Sequence, residues 1–546
     1  LLKSKRQQIH SRIARVLEEQ FPEMVQAQPE LVAHHYTGAG LIAQAIPYWQ
    51  KAGEQAVQRA AFSEAINYFA EGLSLLPERT GESNSDQPEH ELGKRRCELL
   101  IAMGNAQRRG GQSLRAQQTL IRAADIAQAL ISAELVGRAA LGLSYLANQF
   151  GLPVAPTAIR LFEQTLARSS QDSVLRATIL GGLATALATM GEAERAFEYG
   201  QQGTEIARRV NDAQALALGL FGILFALQLP QHARQRMAYA NEMLESARAC
   251  DSKELIIFAL WWRVYSAFQT GDVFIASRDL EEFGRMAEET REPHPLFSVK
   301  NFQACQASIR GQFEECERLA QEALAIGQNL ELPQVMGLFG TQMFTLHREL
   351  GRLNEVEPIL RHFMQTTEGA KAWGPGLALI YAELGRTAEA RAQFDQVAAS
   401  NFADIPQDAN WLPCMTYLAD VCNFLGDRAR AALLYERLLP YKKVAVLMAT
   451  GSACYGSASR YLGALATTMA RWDEAEQYFQ DASAMNSAMG ARPWLAHTQY
   501  QYARMLLTRD QAGDSDRAAR LLKDALATAR ELGMRALEHR ITSGSP

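Results

Sequence analysis

ELGRTAEARAQF, residues 383–394, sets a glycine, a short polar turn and a helix opening on alanine within twelve residues. The same phrase is read in MGEAERAFEYG (190–200), QTGDVFIASRDL (269–280), RGQFEECERLA (310–320) and ELGRLNEVEPIL (349–360). It returns in FLGDRARAALLY (424–435) and ARWDEAEQYF (470–479). Recurrence at a fixed spacing marks a repeat array, in which each unit is one small helical motif. The glycine tolerates the positive φ that ends one helix, and the polar residues after it open the next.

Each unit is anchored on a small residue one turn into its second helix. The anchors are Ala116, Ala158, Ala196, Ala238, Ala276, Cys316, Val356, Ala390, Ala431, Ala475 and Ala518. Their spacing stays near 40 residues, longer than the strict 34 of a tetratricopeptide (TPR) repeat. Twelve residues before the anchor stands a small or apolar residue, such as Gly104, Ala184, Val264, Ala378, Ala419 or Gly463. Four after it stands a large one, such as Phe394, Tyr435, Phe479 or Leu522. A small residue lets two helices approach, and a large one on the next turn fills the groove beside it. The anchors at 158 and 238 fit less well, because Pro153, Pro156 and Pro230 lengthen those turns. The pattern predicts an all-α, TPR-like α-solenoid, a superhelix of helical hairpins.

Residues 31–53, LVAHHYTGAGLIAQAIPYWQKAG, pair His34 with His35 beside Tyr36. Anchored on Ala45, the stretch puts Ala33 twelve before and Trp49 four after. Tyr36 and Trp49 therefore read as hairpin packing residues. Adjacent histidines on a helix point about 100° apart and cannot both face one metal ion. Helical zinc sites use i,i+4 pairs. The two histidines read as structural or surface residues, and no metal ligand is assigned. Ala65 lies twenty residues past Ala45, so the segment 41–60 is expected to pack on both sides.

The chain has 546 residues, too many for one compact core. Its net charge of −5 gives no electrostatic case for nucleic acid. Seven cysteines, odd in number and without a CxxC pair, argue against a disulfide framework or zinc knuckle. They suit a reducing, cytoplasmic compartment. The most apolar stretch, Ala213 to Leu229, is short for a membrane span. No signal peptide is visible, and the chain opens at Leu1-Leu2-Lys3 in mid-pattern. It is expected to be part of a longer protein.

Residues 5–20 predict an amphipathic helix with apolar positions at Ile9, Ile13, Val16 and Leu17. The first TPR-like helices are expected over 26–77, a linker over 78–91, the main solenoid over 92–540 and a disordered tail over 541–546. Long breaks are read at 291–297 and 401–413, and strand alternation persists nowhere.

Sequence motifs for phosphate loops, dinucleotide binding, serine hydrolases and helical zinc proteases are lacking. One feature is sharper. In FALWWRVYSAFQTG (258–271), Phe258, Trp261, Tyr265 and Phe268 form a stripe along one helix. In a tetratricopeptide register these positions face the inner groove, where His34, Asn105, Thr185, Thr345 and Asp420 are polar. An aromatic stripe there suits an apolar peptide or a sugar-like ligand, with His34, Asn105 and Asp420 as further contacts. The alternative, core packing, is the commoner fate of aromatic residues at helical spacing.

LLKSKRQQIHSRIARVLEEQFPE (1–23) and residues 28–76 carry a resemblance, as do 401–427 and 491–534. They resemble the C-terminal helical-repeat region of bacterial proteins that join a class III nucleotidyl (adenylate or guanylate) cyclase, a STAND-type ATPase and such repeats. Similar arms follow the ATPase in LuxR-type and maltose-regulator-type transcription activators. By this resemblance residues 1–25 are expected to form the helix that closes the upstream ATPase's winged-helix region. The resemblance implies a non-catalytic protein-interaction and sensor arm that regulates an upstream ATPase and a signalling output domain, with a cyclase as the first choice. The alternative is a small-ligand (inducer) binding arm of a STAND-type transcription regulator. ATP and magnesium would belong to the upstream domains, and no cofactor is assigned to this chain. The partner implied is a protein or the chain's own ATPase, with a small-molecule inducer as the other possibility, and neither nucleic acid nor membrane.

Overall fold

A computed structural model describes residues 3–76, 87–168, 171–330, 332–366, 373–449 and 451–544. Five helices open the chain: α1 (Lys3–Gln20), α2 (Pro22–Ala27), α3 (Pro29–Ala39), α4 (Ile42–Gln58) and α5 (Phe62–Ser74). Hairpins follow: α6 (Gln87–Arg109) with α7 (Ser113–Ala129), α8 (Ala133–Phe150) with α9 (Ala155–Leu166), and α10 (Val174–Thr189) with α11 (Ala193–Val210). Next come α12 (Ala213–Ala226) with α13 (Ala233–Ala249), α14 (Lys253–Thr270) with α15 (Val273–Thr290), and α16 (Pro293–Arg310) with α17 (Phe313–Asn329). Then stand α18 (Val335–Leu350) with α19 (Leu353–Thr366), α20 (Gly374–Glu383) with α21 (Thr387–Val397), and α22 (Trp411–Leu425) with α23 (Arg428–Leu438). Two short strands, β1 (Ala445–Met448) and β2 (Ala453–Ser457), intervene. The chain closes with α24 (Ala458–Thr468) and α25 (Trp472–Ala488), α26 (Arg492–Arg509) and α27 (Asp514–Leu532), and the single helix α28 (Arg535–Ser543). The fold is an all-α, TPR-like solenoid.

The recurring phrase folds as its chemistry dictates. Gly426 ends α22 in the left-handed region, and the Asp427 carboxylate accepts the Arg430 backbone N–H at 3.1 Å to open α23. The small and large positions meet as expected. A Cβ on Gly463 would lie 2.9 Å from the Phe479 ring, and one on Gly104 would lie 2.7 Å from Leu120. Helix α4 packs against both α3 and α5.

Nine of the eleven anchors are buried. Val356 is only partly so, and Ala238 is exposed while its neighbours Arg236 and Ala240 are buried. Pro230 opens a 3-10 turn, Pro230–His232, and α13 begins after it in a shifted register. The break expected at 291–297 is much shorter, since Pro293 takes the first position of α16, where its missing N–H costs nothing. The apolar positions of α1 also differ from expectation. Ile9 and Ile13 are 44% and 36% exposed, and Ala14 is its buried residue. Of the linker expected at 78–91, residues 78–86 lie outside the described residues, and α6 already runs from Gln87. Residues 541–543 complete α28 instead of starting a tail.

The solenoid coils tightly enough for successive turns to touch. A Cβ on Gly111 would lie 2.7 Å from Leu330, and one on Gly311 would lie 2.6 Å from Leu532. Both glycines also hold φ near +80°, so these loops need glycine for conformation and for contact alike. The separations place about five hairpins in each superhelical turn. Ion pairs bridge the same seam: Arg108 with Glu254 at 2.6 Å and Arg109 with Glu292 at 2.8 Å. Further along, Ala304, Ala307 and Leu346 share an apolar cluster with Ala496, Ala529, Met534 and Leu537.

Candidate functional site

The inner helices of the last units surround the superhelix axis, and this bore is the candidate site. It is filled by the chain itself. The antiparallel pair β1–β2 dips into it, against α14, α16 and α18 on one wall and α22, α25 and α26 on the other. Every residue of both strands is buried. Tyr455 is fully buried: its hydroxyl accepts a hydrogen bond from the Tyr417 hydroxyl and shares a 3.0 Å hydrogen bond with Thr345. Gly451, at the tip of the pair, sits over Phe302 so closely that a Cβ would come within 2.5 Å of that ring.

The aromatic stripe of α14 runs beside this plug. Phe258, Tyr265 and Phe268 are 9%, 1% and 1% exposed, and Trp261 is half-buried. Phe258 stacks on Phe221 at 4.8 Å, while Trp261 and Phe268 approach Phe302 at 5.5 and 6.1 Å. Tyr265 lies under the Arg236 guanidinium, 4.7 Å from its ring centre. Arg236 is wholly buried, and among the described residues no carboxylate pairs with it. It donates instead to the carbonyls of Leu227, Gln228 and Leu229 at the end of α12, and to Ser266 and Gln269. The negative end of α12 stabilises this cation. Burial still lowers its pKa to about 10.

Asp420 lies elsewhere in the bore, in a ring of charge built by alternate helices. Its carboxylate accepts from Arg348 of α18 and Arg460 of α24, both at 3.0 Å. Arg348 also pairs with Glu383 of α20 at 2.7 Å, and Arg540 of α28 reaches the same Glu383 at 3.1 Å. His497 of α26 meets Glu349 of α18 at 2.8 Å. Burial alone would raise the carboxylate pKa values. Arg460 and Arg348 outweigh it at Asp420, and Arg540 and Arg348 at Glu383, so both sit at about 2. Burial lowers the His497 pKa against the pull of Glu349, which favours the neutral imidazole as donor to a charged carboxylate. Arg348 and Arg460 both lie over Trp494, at 5.6 and 5.5 Å.

No protein-family model matches the chain. A search of curated proteins returns no match. Solved structures do align. A Rap protein complexed with competence and sporulation factor aligns at 13% identity and a TM-score of 0.42, covering 73% of this chain and 98% of its own. Aspartyl phosphate phosphatase F from Bacillus subtilis aligns at 13% identity and 0.36, covering 68% and 95%. The Cut9–Hcn1 hetero-tetramer of the APC/C aligns at 13% identity and 0.32, covering 94% and 99%.

The structure thus gathers Phe258, Trp261, Tyr265 and Phe268 into one packed row and puts Asp420 in the charge ring. It leaves His34 and Asn105 apart from both. His34 is exposed on α3, and Asn105 of α6 faces Gly142 of α8. Arg236, Arg348, Glu349, Glu383, Arg460, His497 and Arg540 were not singled out by sequence. For Arg348, Glu349, Glu383, Arg460 and His497 the available signal was charged or polar residues on the first helix of successive hairpins, where a solvated face is the ordinary reading. Away from the bore, a surface cleft of about 290 Å³ is lined by Phe62, Ser63, Glu64, Gly110, Arg291 and Pro293. Among the described residues, no group of three or more His, Cys, Asp or Glu side chains could hold a metal ion. No described helix is long and apolar enough to cross a membrane.

Proposed function

We propose that this chain is a non-catalytic protein-interaction and sensor region that regulates an upstream ATPase and a signalling output domain, a nucleotidyl cyclase. The observation that carries the reading is the closure of one superhelical turn on the next. In an open array each repeat touches its neighbours alone. Here Arg108 and Arg109 pair with Glu254 and Glu292 across most of a turn, and His497 pairs with Glu349 across another. A partner docked at one end therefore biases the packing at the other, as a regulatory arm requires. The resemblance of residues 1–23 and 28–76 supplies the ATPase and cyclase as the regulated domains.

A second reading, an inducer-binding arm, is favoured by Trp261, the member of the aromatic row that keeps solvent contact. One experiment separates the two: a pull-down from lysate with mass spectrometry, alongside melting in the low-molecular-weight fraction of that lysate. Recovery of a STAND-type ATPase or cyclase polypeptide, without a melting shift, supports the interaction arm. A melting shift in the small-molecule fraction, abolished in a folded Trp261→Ala variant, supports the inducer arm. If neither a polypeptide of that kind is recovered nor a melting shift is seen, both readings fall.

A further inference from the structure

We propose that β1–β2 is a removable plug, held in the bore as a bound peptide is held, whose departure opens the bore to an extended segment of a partner protein. The repeats do not need the strands to join them. α24 packs directly on α22 and on α23, so the hairpins stack past the pair. An insertion that leaves its neighbours in contact can move without unstacking them. The pair is also weakly built in itself. Two strands alone make a marginal sheet. Their register shifts between Ala445 and Leu447. Ala449 holds φ +40°, and Gly451 and Gly456 hold φ +94° and +69°.

Helix side chains, not a third strand, meet backbone groups of the pair and its flanks. The Ala449 N–H donates to Asn410 Oδ1 at 3.0 Å, before α22. The Ser457 N–H donates to Asn486 Oδ1 of α25 at 2.9 Å. The Tyr461 hydroxyl of α24 donates to the Tyr455 carbonyl at 3.1 Å. Contacts of this kind read main chain, so an extended segment of another protein can satisfy them as well. Tyr455 is the side-chain anchor, set between Tyr417, Thr345 and the Trp494 ring at 5.6 Å. β1 lies on α14, so its departure also uncovers the aromatic row that holds Trp261. The nature of the partner rests on the interaction-arm reading above.

Native cysteines supply the test. Cys454 stands on β2, and Cys305 on α16, one turn from the Phe302 that meets the tip of the pair. Burial, with Cys454 nearby, holds the Cys305 thiol well above its ordinary pKa. Cys97 of α6 and Cys422 of α22 are buried just as fully, all four at 0% exposure. The whole chain is pulsed with N-ethylmaleimide in native buffer, and each site is read by mass spectrometry. Cys454 and Cys305 should react together, at least about tenfold faster than Cys97 and Cys422. Tyr417→Phe removes one tie to the plug and should speed both about fivefold, with Cys97 unchanged. A synthetic peptide of residues 443–459 carrying Cys454→Ser should saturably speed labelling of Cys454 in the chain while shielding Cys305, and a scrambled peptide should do neither. Should Tyr417→Phe fail to fold, the order of labelling in the unaltered chain decides. Reaction of all four cysteines at one rate, or no response to the peptide, overturns the proposal. A partner recovered in the pull-down alongside that result strikes the plug alone and leaves the interaction arm standing.

Discussion

Asp420 shows how much one side chain can hold. It is buried between Arg348 and Arg460, so truncating it strands two guanidinium groups out of water. Asp420→Ala is expected to cost about 3–5 kcal/mol, read as a lowered denaturant midpoint, whereas an exposed pair such as Arg195–Glu163 should cost under about 1 kcal/mol. Acid should act through the same carboxylates. Asp420 and Glu383 have pKa values depressed to about 2 in the fold, against ordinary values of 3.8 and 4.5. The unfolded chain therefore binds more protons as pH falls, and the stability they give is whole above about pH 5 and lost between there and pH 2. Melts from pH 6 to pH 2 should show this slope, and a Glu383→Gln variant should show a shallower one. Sequence read Asp420 as an inner-groove position, but its partners lie 72 and 40 residues away, beyond the reach of any local pattern. The burial of Phe258, Tyr265 and Phe268 was legible as a stripe. The plug that covers it was not.

Helices were legible because each hairpin carries its own start and stop. The strand pair β1–β2 escaped because alternation arises only when one face of a sheet meets water, and AVLM and ACYGS are buried on both. α13 slipped because a proline-led 3-10 turn added residues that the period does not count. The strand pair also gives a test of its own seating. Gly451 has φ +94° and stands under Phe302. Gly451→Ala should destabilise by about 1–3 kcal/mol through strain and crowding together, and Phe302→Leu in the same chain should return part of the loss. A double-mutant cycle on melting free energy measures that coupling.

At the scale of the molecule, period, hairpin and handed coil follow from short-range rules, but the tightness of the coil does not. It depends on Gly111, Gly311 and the small residues of the seam meeting partners about 200 residues on, a distance set by the summed small rotations of about five units. Hydrogen exchange should report the seam directly: amides of α16 to α18 and of α26 to α28 are expected to open together, with one free energy, although they are far apart in sequence. A loop contact that skips a whole turn also works as a ruler for the chain. An open solenoid tolerates gain or loss of a complete unit, since neighbours simply restack. Here, excising one unit between Gly311 and Leu532 would bring every later loop opposite the wrong helix, as a dropped tooth misaligns a gear. The number of repeats in this stretch is therefore as fixed as the identity of any buried residue, and the array should evolve by substitution and by loop growth, not by duplication.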